Sequence, residues 1–375
     1  MIEKEGKPVN KHSNTIGLIG LGLIGGSIAK TIRRIHPDCH IIAYNRTRQS
    51  VQAALSEQVI DEIAEQVDET FASCDYLFLC APVSTNVSFL NTIRKFIKPG
   101  TILTDVGSTK GDIESAIEQA GLAQYFIGGH PMAGSERVGY EHSTAHLLEN
   151  AYYILTPTRT VPVHCVEQFA EFVSSLGALP LILDSRQHDF ATAAVSHLPH
   201  LIAVSLVNLV KDSDNEEHLL KTIAAGGFKD LTRIASSSPA MWEQICVTNH
   251  EQIANVLTQY MQSLDKIKQA LDHRDGKAIY ELFDTAGEYR NSFSITSAGS
   301  IKREYELYCD IVDESGAIAT IATILAANNI SIKNIGIVHN REFQDGVLHI
   351  AFYNKEALKR AVQMLQKHRY TVYQR

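Results

Sequence analysis

The 375-residue chain has little of what marks several protein classes. Its six cysteines, Cys39, Cys74, Cys80, Cys165, Cys246 and Cys309, are scattered and form no CxxC pair. That excludes a disulfide framework and a cysteine zinc site, and implies reduced thiols in the cytoplasm. Basic residues are in deficit: 34 Lys plus Arg against 42 Asp plus Glu leave a net charge of −8. Such a chain has no footing for nucleic acid or an anionic membrane surface. No apolar run reaches the roughly 20 residues of a bilayer span. The opening MIEKEGKPVNKHSN has no apolar segment, so residues 1–14 read as a polar tail and not as a signal peptide. The 23 glycines and 10 prolines are too few for collagen-like or low-complexity sequence. What remains is 45% apolar and 20% charged residues, the balance of a globular protein. The length suits two or three domains.

Three stretches differ in pattern. Over 15–184 short β-rich runs (TIGLIG, IIAYN, YLFLC, TILTD, YYILT, LPLILD) alternate with helical spacing. This predicts an α/β domain of Rossmann type, with helices on both faces of a mostly parallel sheet. Over 185–298 the β-runs stop and long apolar-periodic segments predict an all-α domain. The segment HLIAVSLVNLV is apolar nearly all round, which suits a core or a subunit interface, so a homodimer is expected. Residues 299–304 read as a linker, and 305–375 as β-α-β-β-α-β, the ferredoxin-like order.

The first strand runs into Gly20, Leu21, Gly22, Leu23, Ile24 and Gly25. A GxGxxG between a strand and a helix is a dinucleotide fingerprint: a tight turn, close backbone approach to pyrophosphate, and close helix packing. About 20 residues on, an acidic residue usually binds the ribose. Here Asn45 stands there, followed by Arg46. NAD is the expected cofactor, and a guanidinium beside Asn45 leaves NADP open. Ala81 and Pro82 end another predicted strand and are expected to line the ribose side.

Reactive side chains concentrate in DVGSTKG, GGHPMAGSE and SHLPH. Ser108 follows a strand. His130, between glycines and a proline, reads as a loop residue. With GLGLIGGS before them and GGFKDLTRIASSSPAMW after, these motifs resemble the prephenate dehydrogenase family over residues 15–298. The resemblance implies oxidative decarboxylation of prephenate to 4-hydroxyphenylpyruvate, on the way to tyrosine. It implies that His130 is the base for the C4 hydroxyl, that Ser108 shares that hydrogen bond, and that His197 meets a carboxylate end of the substrate. Arg233 offers a fork for a carboxylate, Lys229 assists, and Glu136 stands at the pocket mouth. Hydride transfer needs no metal, and none is expected. The alternatives are arogenate as substrate, a β-hydroxyacid dehydrogenase with Lys229 as acid/base, and a catalytically inactive sensor on the same fold.

The tail resembles an ACT domain in DIVDESGAI and ISIKNI, although the usual proline of the turn is missing before Gly316. The resemblance implies an amino-acid effector, with tyrosine the natural choice. Backbone at Gly316 and Ala317 would hold its carboxylate. Asp313 or Asn334 would hold its ammonium, with Ile335 beside them.

Overall fold

The computed structural model describes residues 14–134, 137–292, 305–311, 316–338 and 346–373. Glu136, Asp313 and the expected linker at 299–304 lie outside the described residues. The chain divides into two compact units, Met1–Arg290 and Asn291–Arg375.

In the first unit, β1 (Thr15–Ile19), β2 (His40–Tyr44), β3 (Glu62–Ile63), β4 (Tyr76–Leu79) and β5 (Ile102–Asp105) pair in parallel in the order β3-β2-β1-β4-β5. Both faces are covered, so these strands are short continuous apolar runs and do not alternate apolar with polar. Ile16, Leu18, Tyr76 and Phe78 point to one face, against Ile28 and Ile32 of helix Leu23–Ile35 and Phe169 and Phe172 of helix Val163–Ser175. The Tyr76 and Phe172 rings stack at 4.4 Å. Ile19, Leu77 and Leu79 point to the other face, against helices Val83–Phe96 and Gly111–Gln119.

A second sheet of β6 (Ile127–Pro131), β7 (Tyr152–Pro157) and β8 (Leu179–Ile182) has β6 antiparallel and β8 parallel to β7. A bridge from Leu103 to Phe126 joins its start to β5. This corrects the expectation that His130 sits on a loop: Gly128, Gly129, His130 and Pro131 are strand. The glycines serve approach rather than turning. A Cβ on Gly129 would lie 2.5 Å from the Asp105 carbonyl oxygen.

The helical part begins at Asp184. Asp184 accepts from the Gln187 amide at 2.7 Å and the Gln187 side chain returns to the Asp184 amide, a capping box. From there one helical run, Ser185–Ser213, is long and apolar enough to cross a membrane by length and composition. That corrects the expectation that no such stretch exists. Buried His188, Asp189 and His197 lie within the same run, a polar cluster that hydrocarbon would not solvate. The run carries a single π turn at Ala193–His197. Pro199, just beyond, has no N–H to give to the carbonyl one α turn back, and the Leu198 N–H reaches Ala193 instead. Helices Leu219–Ile223, Gly226–Thr232, Pro239–Thr248, His250–Asp272 and Gly276–Ser292 follow. Its surface is unusual: Val195, Leu209, Val247, Met261 and Phe283 are 61% to 79% exposed.

In the second unit, β9 (Tyr305–Ile311), β10 (Ile332–Val338), β11 (Gly346–Phe352) and β12 (Val372–Tyr373) form an antiparallel sheet in the order β10-β11-β9-β12. Helices Ala317–Ala327 and Lys355–Lys367 pack on it through Ile321, Leu325, Ala361 and Leu365. This is the ferredoxin-like order read from the sequence.

Candidate active site

The three glycines of the fingerprint have three separate reasons. Gly20 has φ +106°, and a Cβ there would meet the Ala81 amide nitrogen at 2.7 Å. Gly25 packs under the turn, where a Cβ would press on the Gly20 carbonyl. Gly22 has no atom within 4 Å of its Cβ position and caps helix Leu23–Ile35, which has no side-chain cap and no acidic residue in its first turn. Open space in front of uncapped amides is what a pyrophosphate requires. Leu21 is buried, and Leu23 and Ile24 are half-buried.

Asn45 is tied into the glycine turn itself. Its Oδ1 accepts from the Leu21 amide at 3.0 Å and its Nδ2 donates to the Thr47 carbonyl at 3.1 Å. The carboxamide holds the glycine turn in place. Arg46 beside it is exposed. Ala81 and Pro82 lead into helix Val83–Phe96, pinned by buried Asn86, which donates to the carbonyls of Leu79 (3.2 Å) and Ala81 (2.8 Å).

Next to this cradle lies a buried ion pair. Lys110 and Asp105 are both fully buried; the Lys110 ammonium donates to Asp105 and to the Gly129 carbonyl at 2.9 Å. Asp105 accepts from the Gly107 amide at 2.9 Å and the Gly129 amide at 3.1 Å. The pair thus ties the loop that carries half-buried Ser108 to the strand that carries His130. Both residues stand within DVGSTKG, where the motif alone assigns them no role.

His130 is oriented from behind. Its Nδ1 lies 2.8 Å from His188 Nε2, and His188 Nδ1 lies 2.8 Å from Asp189 Oδ1. Asp189 also accepts from the amides of Lys110 and Gly111, each at 2.8 Å. His188 and Asp189 are functional candidates that sequence reasoning missed. Their sequence signal is weak, because they sit among other polar residues (Ser185, Arg186, Gln187) ahead of the apolar run. Burial, then His188, Lys110 and His197, hold the His130 imidazole well below the usual histidine range, so it is neutral at pH 7.

His197 is 2% exposed, with Nδ1 3.2 Å from Asn249 Nδ2 and its ring edge-on to Trp242. Burial above all pushes its pKa down to about 4. At pH 7 this imidazole is therefore neutral, and it can meet a carboxylate through a hydrogen bond rather than a charge. His200 stacks on Trp242 at 3.9 Å and its Nδ1 lies 2.9 Å from the Ser196 carbonyl. Lys229, on helix Gly226–Thr232, and Arg233, on the turn after it, are exposed, and both segments pack against helix Leu198–Ser213.

The depressed His197 pKa has a thermodynamic consequence. Between pH 6.5 and 4 the unfolded chain takes up the proton that the folded chain refuses. Stability is therefore full above pH 6.5 and falls as pH drops through that window, by up to about 3 kcal/mol from this group. Urea midpoints measured from pH 7 to pH 4 should show the slope, and His197→Gln should flatten it. Equal slopes in both proteins would contradict the assignment.

Two families of known domains match this geometry in sequence. Residues 28–180 match the prephenate dehydrogenase nucleotide-binding domain and residues 184–285 the prephenate dehydrogenase dimerization domain. The prephenate dehydrogenase of Bacillus subtilis (strain 168) is 38% identical over 360 residues, 96% of this chain and 97% of that one. Among solved structures, prephenate dehydrogenase from A. aeolicus in complex with hydroxyphenyl propionate and NAD+ is 28% identical with a TM-score of 0.72, covering 76% of this chain and 100% of that one. Synechocystis arogenate dehydrogenase is 27% identical with a TM-score of 0.68, covering 75% of this chain and 100% of that one. With both domain families matched in series and that relative aligned end to end, this chain belongs to the prephenate dehydrogenase family.

Proposed function

We propose that the protein is an NAD-dependent prephenate dehydrogenase, converting prephenate to 4-hydroxyphenylpyruvate and CO2. The observation that carries this reading is His130: a neutral imidazole, oriented through Nδ1, on a strand clamped to the loop of Ser108. Bound NAD+ supplies the hydride acceptor. The uncapped amides at Gly22 receive its pyrophosphate, Asn45 holds the turn, and Ala81 and Pro82 line the ribose side. Arg46 is exposed and can neutralise a 2′-phosphate, so NADP+ belongs in the assay as a second arm.

His130 Nε2 takes the C4 hydroxyl proton as hydride leaves C4. The bond to the ring carboxylate breaks, its electron pair completes the aromatic ring, and the imidazolium returns the proton to the phenolate oxygen. Ser108 shares the hydroxyl hydrogen bond and orients it. Arg233, assisted by Lys229, meets a substrate carboxylate, Glu136 stands at the pocket mouth, and His197 adds a neutral hydrogen bond.

The exposed apolar residues of the helical part support a homodimer, since a face of that kind is expensive to leave in water. The family match of residues 184–285 to a dimerization domain agrees with this. Reduced cysteines suit a cytoplasmic enzyme; all six are free. In the second unit, Gly316 at φ +98° caps helix Ala317–Ala327 with backbone alone. Asn334 sits at a bulge of β10, its Oδ1 accepting from the Ile335 amide at 2.8 Å. These features support capture of an amino-acid effector, and the reaction's place before tyrosine makes tyrosine the ligand to test.

The test follows absorbance of reduced cofactor with purified protein, crossing prephenate or arogenate with NAD+ or NADP+, each with and without tyrosine. Turnover of prephenate with NAD+ is expected, and loss of rate with tyrosine. Turnover of arogenate alone would move the substrate. Folded, dinucleotide-binding protein without turnover would favour the sensor reading.

A further inference from the structure

His130 is one end of a chain of polar groups that runs from β6 into the helical part. His188 is fully buried, Asp189 is 6% exposed, and the three links are short: 2.8 Å from His130 to His188, 2.8 Å from His188 to Asp189, and 2.8 Å from Asp189 to each of the Lys110 and Gly111 amides. The direction of every proton in the chain follows from the donors at its far end. Asp189 is an acceptor-only carboxylate, held by two backbone amides, so His188 Nδ1 carries the hydrogen that it receives. His188 Nε2 is then a lone pair, and His130 Nδ1 must be the donor to it. That leaves the lone pair of His130 on Nε2, the atom turned away from the chain.

Resting on the reaction assigned above, we propose that His188 and Asp189 form a proton relay behind His130, fixing its tautomer and sharing the proton it takes from the substrate. As the C4 O–H bond breaks and His130 Nε2–H forms, His130 Nδ1–H gives its proton to His188 Nε2. The positive charge comes to rest on His188 against the Asp189 carboxylate, and the transfer reverses when the proton returns to the phenolate. The other groups facing His130 cannot do this. Lys110, on the loop after β5, is a donor already engaged with Asp105 and the Gly129 carbonyl. Asp105 on β5 is saturated by Lys110 and two amides. His197, on the π turn, is paired with Asn249. Asn249 also donates to the Asp189 carbonyl at 2.8 Å, which fixes the backbone of the relay.

Two variants separate relay from scaffold. In His188→Gln the side-chain carbonyl can still accept from His130 Nδ1 and cannot carry a proton; in His188→Leu it can do neither. Long-range 15N–1H spectra of histidine-labelled protein, without substrate, should show His130 as the Nδ1–H tautomer in wild type and His188→Gln, and as a mixture in His188→Leu. Steady-state kinetics should show kcat lowered about tenfold in His188→Gln and about 100-fold in His188→Leu, with KM within twofold. The acid limb of the kcat–pH profile should move to lower pH in both, because the imidazolium loses its carboxylate-backed partner while Lys110 and His197 remain. Wild-type kcat should fall along a curve with deuterium fraction of the solvent, and that of His188→Gln along a straight line. An unchanged tautomer in His188→Leu, or an unmoved acid limb with wild-type kcat, would overturn the relay. If His188→Leu does not fold, a curved isotope dependence in His188→Gln overturns it. The spectra need no turnover, so failure on prephenate would overturn the reaction assignment, and the proton sharing that rests on it, while the tautomer set by His188 would still be tested on its own.

Discussion

Replacing His130 by asparagine lowers kcat by about 100-fold or more, the usual contribution of a positioned general base. Asparagine fills much of the same space on β6, so the strand pairing of His130 with Ile154 and the Lys110 bond to the Gly129 carbonyl persist. What is removed is the lone pair that receives the C4 hydroxyl proton. NAD+ affinity, measured by calorimetry, should be unchanged, because the cradle at Gly20, Gly22 and Gly25 is built from other elements. A loss of less than threefold in kcat would remove His130 from the base role. A loss that disappears at high pH would instead mean that hydroxide replaces it, which keeps the role.

Lys110→Met should cost about 3–5 kcal/mol of stability, the usual effect of removing one partner of a buried pair. Asp105 would be left fully buried with only the Gly107 and Gly129 amides for company, and the Gly129 carbonyl would lose its donor. Burial pulls the Lys110 pKa down and Asp105 works against that. Guanidinium unfolding of the first unit measures the loss. The double variant Lys110→Met with Asp105→Leu should recover much of it, since replacing a whole buried pair by apolar groups is often neutral. A single variant within 1 kcal/mol of wild type would show that the pair is not the clamp described above. A double variant worse than the single would show the same for Asp105.

The parts of this site that could be read from sequence are those in which one residue answers one local demand. Gly20, Gly22 and Gly25 each meet a separate backbone requirement, and a requirement on the backbone leaves a glycine at a fixed spacing. His130 was found by its motif, yet its setting was misread. Glycine and proline usually mean a turn, and here Gly129 is a strand residue because Asp105 comes too close for a Cβ, a fact of tertiary approach. Asn45 was placed by counting, but its carboxamide turns to Leu21 and Thr47, two partners that no count reveals. His188 and Asp189 left almost no trace, since their partners are 58 and 79 residues away along the chain. The charge of His197 depends on burial, which the sequence does not carry.

Asp189 stands on the second helical turn of Ser185–Thr192 while accepting amides from the start of Gly111–Gln119, so one carboxylate fastens the helical part to the sheet-bearing part and also backs the base. Architecture and reactivity therefore share a single atom pair. A sequence drifting at this seam cannot adjust one without disturbing the other. Changes at Asp189, His188, Lys110 and Asn249 should combine non-additively, each altering what the next is worth. Families that carry this arrangement are then expected to change these four positions together or hardly at all.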